Sequence, residues 1–133
     1  MKELENNFVK FWFENGILFS KFQKDTVLNL DRIKQAIEMR EKISGKQKQY
    51  WLYDITNIKT VPKEVRDYAE RHGQDYLYCI AALVNSHTTK FIFNSYLKLN
   101  KPDFPVLFFT DKEKATEWLM EIKAKNEINS IEE

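Results

Sequence analysis

The sequence predicts an α/β domain on a mixed, mostly parallel sheet, with the element order ββαβαβαβα. Three observations carry that expectation. Asn15-Gly16 lies between two aromatic-rich stretches, and this dipeptide is the strongest short hairpin signal because a type I′ turn needs positive φ at both central positions. Tyr50 to Ile55 reads as a strand leading through the polar turn Thr56 to Thr60 into a helix opened by Pro62, where the missing N–H of proline is not needed. Beyond this joint, apolar runs alternate twice more with helical spacing. Strands alternating with helices of this length imply crossover connections and a parallel sheet.

Each element has its own signal. Phe8 to Glu14 alternates, which puts Phe8, Lys10, Trp12 and Glu14 on one face and Val9, Phe11 and Phe13 on the other. Ile17 to Phe22 is the return strand. Asn29 caps a first helix in which Leu30, Ile33, Ala36 and Ile37 recur at helical spacing, and Ser44-Gly45 ends it because glycine tolerates the left-handed C′ position. A second helix from Pro62 to His72 carries the stripe Val65, Tyr68, Ala69 and His72 and stops at Gly73. Tyr78 to Val84 is a continuous apolar run, as in a strand buried on both faces. Asn85, Ser86, His87 and Thr88 offer N-caps for a third helix with the stripe Phe91, Ile92, Tyr96 and Leu99. Pro105 to Phe109 is the last strand. Thr110-Asp111-Lys112-Glu113 is a capping box, and Ala115, Trp118, Leu119 and Ile122 are the stripe of the closing helix. Residues 1–125 are expected to form one domain, and residues 126–133 a polar tail that frays.

Composition excludes several classes. At 133 residues the chain is long enough to bury a core without staples. A formal charge of +1 leaves no basic stripe of the kind that nucleic acid requires, and Lys46-Gln47-Lys48 beside Gly45 reads as solvated loop. Cys79 is the single cysteine, so neither an internal disulfide nor a zinc pattern is expected. No run approaches a membrane span, and Met1 to Glu5 is not a signal peptide. A reducing, cytoplasmic setting is the expectation, with no cofactor and no metal.

A hairpin, three helix-crossover strands and a closing helix together resemble the SpoIIAA-like fold shared by STAS domains, and more closely bacterial proteins of the STAS/SEC14-like type. The resemblance runs from Phe8 to Ile122. It is best in Ile80-Ala81-Ala82-Leu83-Val84-Asn85-Ser86, then Asn94, then Lys101-Pro102, then Pro105 to Asp111, and Ala115 with Trp118-Leu119. These motifs mark fold, not chemistry. In the anti-sigma-factor antagonists of the STAS group, a serine in an Asp-Ser-Ser-Gly motif is phosphorylated at the start of the helix after the strand matching Tyr50 to Ile55. Asp54 matches the first acid of that pattern, but Ile58-Lys59-Thr60-Val61-Pro62 stands where the motif would be, leaving Thr60 as the only acceptor. The resemblance implies a non-enzymatic regulatory or protein-binding module. Its SEC14 part implies, as the alternative, a small-molecule or lipid-binding protein.

The candidate working surface is the rim at the carboxyl ends of the parallel strands, where ligands bind in open α/β sheets. One loop holds Asp54, Thr56, Asn57 and Thr60; the other holds Asn85, Ser86, His87 and Thr88. Structurally, Asp54 would accept loop N–H groups and Thr60 and Ser86 would cap helices. Functionally, two helix N-termini at one rim would favour an anion or a carboxylate-bearing protein partner. His72 in a last helical turn suits the helix dipole. Cys79 with His72 or His87 lacks the third orienting group of a nucleophilic site, and no Gly-rich phosphate loop or G-x-S-x-G elbow is present, so no catalytic residue is expected. The aromatic hairpin leaves a face with Phe8 and Trp12, which is expected to pair with a second copy because large exposed apolar patches are rare in monomers.

Overall fold

The computed structural model describes residues 2–132, so Met1 and Glu133, the ends of the expected domain and tail, lie outside the described residues. In chain order the elements are β1 (Glu3–Glu5), β2 (Val9–Glu14), β3 (Ile17–Phe22), β4 (Thr26–Val27), α1 (Leu30–Ser44), β5 (Gln49–Asp54), β6 (Ile58–Thr60), α2 (Lys63–His72), β7 (Leu77–Leu83), α3 (His87–Leu99), β8 (Val106–Phe109) and α4 (Lys112–Glu132). A six-stranded sheet has the order β1-β2-β3-β5-β7-β8. The β1–β2 and β2–β3 pairs are antiparallel, and β3–β5, β5–β7 and β7–β8 are parallel. The mixed, mostly parallel sheet is as expected, with three short strands added.

Turn chemistry sets the hairpin. Asn15 and Gly16 have φ of 53° and 77°, as a type I′ turn needs. A Cβ on Gly16 would also lie 2.6 Å from Lys123 Cε of α4, so the turn lies under the closing helix. Helix α1 starts where Asn29 accepts from Arg32 N and ends on Gly45 at φ 61°.

The two faces of the sheet bury different sets. One core gathers Val9, Phe11, Leu18 and Trp51 from the strands with Ile33, Ala36 and Ile43 of α1 and Val65 of α2. The other gathers Ile17, Phe19, Leu52, Cys79 and Ala81 under Ala115 and Leu119 of α4. Burial raises the Cys79 thiol to about 12 and the Tyr53 hydroxyl to about 12.

Phe8 departs from the expected alternation. Asn6 Oδ1 accepts from the N–H groups of both Phe8 and Val9, at 2.9 Å each. This local turn breaks the period, so Phe8 and Val9 both enter the α1 core. Trp12 lies on the opposite face, stacked on Phe19 at 5.5 Å. Phe8 and Trp12 therefore share no face, and Phe8, buried by its own chain, is withdrawn from any self-association surface.

Arg40 is the largest fully buried side chain. Its guanidinium donates to Gln49 Oε1 (3.0 Å), Gly73 O (2.9 Å) and Asp75 O (2.8 Å) and lies 4.9 Å from the centre of the Trp51 ring. Burial lowers its pKa to about 10. The residue ties α1 to the end of α2 and the start of β7, at the rim opposite the candidate surface. The charged patterning of α1 hides this role, since arginine in a helix usually faces water.

Helix α4 takes in the polar stretch after residue 125, running to Glu132, and Asn126 donates to the Tyr50 hydroxyl at 3.1 Å. Two further expectations change. The cap of α4 is Asp111, which accepts from Glu113 N and Lys114 N, one residue after the expected Thr110. Helix α3 shows its expected inner stripe to solvent: Phe91, Ile92, Tyr96 and Leu99 are exposed. Its inner side is instead Phe93, stacked on Phe108, with Asn94 bonding the peptide of the edge strand β8.

Candidate functional site

Strands β5 and β7 are parallel neighbours, with Asp54 opposite Leu83. Ile55 N donates to Leu83 O at 3.1 Å, which extends the ladder past the end of β5 and brings the two following loops together. Asp54 is buried at the end of its strand. Its Oδ1 accepts from Thr56 N (2.9 Å) and Thr56 Oγ1 (2.6 Å), a turn in which aspartate mimics a backbone acceptor. Thr56 O in turn accepts from Asn85 Nδ2 of the neighbouring loop. A chain of hydrogen bonds therefore runs from Asp54 through Thr56 to Asn85.

Ser86 caps α3. Its Oγ accepts from Thr89 N at 3.0 Å and donates to Thr89 Oγ1 at 2.8 Å. This occupies one free N–H of the first turn and leaves Asn85, His87 and Thr88 exposed around it. Asn57 is aimed elsewhere, donating to Phe22 O at 2.9 Å and so tying the loop to the end of β3.

Thr60 does not cap α2. It lies in β6, which pairs in parallel with β4, Val27 opposite Thr60, and Leu28 N donates to Thr60 O. Helix α2 starts after Pro62, with no side-chain cap. Thr60 is therefore exposed two residues before the helix cap, away from the N–H groups that would stabilise a phosphate. A three-residue strand formed by a distant partner leaves almost no local signal.

The structure thus gathers Asp54, Thr56, Asn85, Ser86, His87 and Thr88, and separates Asn57 and Thr60 from them. Two open grooves flank the rim. One of about 430 Å³ is lined by Asn57, Lys21, Lys24, Lys10, Trp12 and Glu3. The second, about 420 Å³, lies along α3 beside His87, Lys90 and Lys98. Sequence reasoning missed Lys21, Lys24 and Lys90; strand alternation places Lys21 and helical spacing places Lys90 on these surfaces, while Lys24 lies in the turn after β3. Among the described residues, no cluster of three His, Cys, Asp or Glu could hold a metal, and no helix is long and apolar enough to cross a membrane.

This architecture, an aromatic hairpin feeding a parallel sheet with helices on both faces, is the SpoIIAA-like fold. It is shared with the crystal structure of an uncharacterized protein from the DUF3478 family with a SpoIIAA-like fold, from Shewanella loihica PV-4. The TM-score is 0.62 at 16% identity, over 87% of this chain and 98% of that one. The chain itself belongs to the family described as Domain of unknown function (DUF7793), whose model matches residues 11–123. No curated protein matches it.

Proposed function

We propose that the chain is a non-enzymatic binding module of the cytoplasm that engages a protein partner through the rim of Thr56, Asn85, Ser86, His87 and Thr88. The observation that carries this reading is the Asp54–Thr56–Asn85 chain of hydrogen bonds, which holds two loops in one arrangement while their outer side chains stay exposed. Binding residues tend to sit on loops held in this way by a rigid scaffold. Asp54 is a positioning residue here, buried and wired to Thr56. The partner group that suits the rim is a carboxylate or another anion, since α3 directs its first N–H groups there and carries no acid in its first turn.

A photo-crosslinking side chain in place of His87 tests the reading in host cells, with Gln47 on the opposite rim as the control position. A protein captured from His87 and not from Gln47 is the expected result. Capture from Gln47 alone would move the working surface to the other end of the sheet. A small molecule retained in native mass spectrometry would instead favour the lipid- or small-molecule-binding alternative.

A further inference from the structure

Helix α4 leaves the outer half of its sheet face open. It packs on β5, β7 and β8, and reaches β3 through Lys112, whose Nζ lies 5.4 Å from the centre of the Phe19 ring. On the other face of the sheet, α1 packs on β1 and β2. Beside α4, the outer strands instead present Glu3 and Glu5 of β1, Lys10 and Trp12 of β2 and Lys21 of β3 around the 430 Å³ groove. Glu3, Glu5 and Lys21 are exposed, and Trp12 is half-buried.

The registers set these side chains in two rows. One row is Glu3, Trp12 and Phe19; the next is Glu5, Lys10 and Lys21. Lys10 and Lys21 are direct cross-strand partners, and like charges placed opposite each other destabilise a sheet. Lys10 leans diagonally to Glu3 at 3.6 Å and lies 5.8 Å from the centre of the Trp12 ring. Glu5 and Lys21 are left without an ion pair among the described residues. Asp54, the neighbour of Lys21 on β5, is buried and turned to Thr56. Glu5 and Lys21 stand on either side of β2, about 10 Å apart at the usual strand spacing, too far to pair within one chain.

A two-fold axis along β2 brings them together. Face-to-face pairing about that axis sets β1 of each copy over β3 of the other, and β2 over β2. Glu5 of each copy then meets Lys21 of the other in the same row, and the two Trp12 rings meet at the centre. Lys10 meets its own copy, but Glu3 already neutralises it. Edge-to-edge pairing of two β1 strands, antiparallel about Leu4, would set Glu3 against Glu5 and is disfavoured. A free anion suits the surface less well than a second copy, since Glu3 and Glu5 line the same groove as the lysines.

We propose that the chain forms a two-fold dimer through the open β1–β3 half of this face, with Trp12 at its centre and two Glu5–Lys21 pairs across it. The surface is distinct from the hydrogen-bonded loops of the rim, and pairing there does not depend on a partner at those loops.

Analytical ultracentrifugation at concentrations up to millimolar tests this. The wild-type chain should self-associate, and added salt should weaken the dimer by screening the two charge pairs. Glu5→Lys and Lys21→Glu should each raise the dissociation constant roughly tenfold or more. An equimolar mixture of these two variants should associate as well as wild type, because each supplies the charge that the other needs. Trp12→Ser should also weaken the dimer. Circular dichroism checks that each variant is folded; Glu5 and Lys21 are exposed, so the mixing experiment decides even where Trp12→Ser unfolds. A chain that stays monomeric at every concentration would overturn the proposal. So would a dimer that Glu5→Lys and Lys21→Glu leave intact, or a mixture of the two that does not associate. A dimer lost in Leu99→Ser would overturn it as well, since that side chain lies on α3.

Discussion

Helices α1 and α3 both connect neighbouring parallel strands, yet α1 buries Ile33, Ala36, Arg40 and Ile43 and α3 buries nothing. Helix α1 lies over a sheet face and has one apolar stripe, so its orientation has a single solution. Helix α3 lies beside the edge strand and is apolar on both sides. There a polar residue decides: Asn94 donates to Phe108 O (3.0 Å) and accepts from Phe108 N (2.8 Å), closing the open edge of β8 as another strand would. Hydrophobic spacing therefore orients a helix only when its opposite side is polar. When both sides are apolar, the backbone group that needs a partner selects the inner one.

The largest test of this contrast is Arg40→Ala. It leaves Gly73 O, Asp75 O and Gln49 Oε1 without their donor and opens a cavity under Trp51, so we expect a loss of about 3–5 kcal/mol in chemical denaturation. Arg40→Lys should recover only part of it, because an ammonium lacks the planar fork. A loss below about 1 kcal/mol for Arg40→Ala would show that α1 is held by its apolar residues alone.

Alkali probes the sheet under α4. Cys79 titrates ordinarily near 9.0 and is raised to about 12 in the fold. Its contribution is therefore whole below pH 9 and is lost as pH rises through about 12. Tyr53 acts in the same direction from 10.0 to about 12, and Arg40, lowered from 12.5 to about 10, acts in the opposite one over that range. Between pH 9 and pH 10, Cys79 therefore dominates, and stability should fall by about 1 kcal/mol. Cys79→Ala should remove most of that slope in denaturation curves measured at the two pH values, leaving what Tyr50 adds, whose hydroxyl is also raised by burial.

Asn94→Ala removes both hydrogen bonds to Phe108 and should destabilise by about 1–2 kcal/mol, with faster amide exchange in β8 than in β7. Equal exchange in the two strands would mean that Phe93 alone seats α3. Thr60→Ala should change stability least, by a few tenths of a kcal/mol, because the side chain is exposed and caps nothing. A loss near 1 kcal/mol, the usual value of a helix cap, would contradict the β6 assignment, and stoichiometric phosphate on Thr60 in protein from the host would restore a role for it as acceptor.

The sequence by itself determined much of this protein. Asn15-Gly16 specified the hairpin, Asn29 and Gly45 bounded α1, and the uninterrupted apolar run into Val84 announced a doubly covered strand. From these the parallel pairing of β5 with β7 followed, and with it the meeting of the Thr56 and Asn85 loops. Such signals are local: turn φ values, caps and periodicity act within a few residues. Only the tertiary structure decided the rest. The strands β4 and β6 exist because each meets the other across about thirty residues of chain. Asn6 turned Phe8 into the core against the alternation, Arg40 found its acceptors on another helix and loop, and Asn94 turned the stripe of α3 outward. In each case a polar group took a partner distant in sequence or at odds with the local period, because a buried donor or acceptor left unpaired costs more than an apolar side chain left in water.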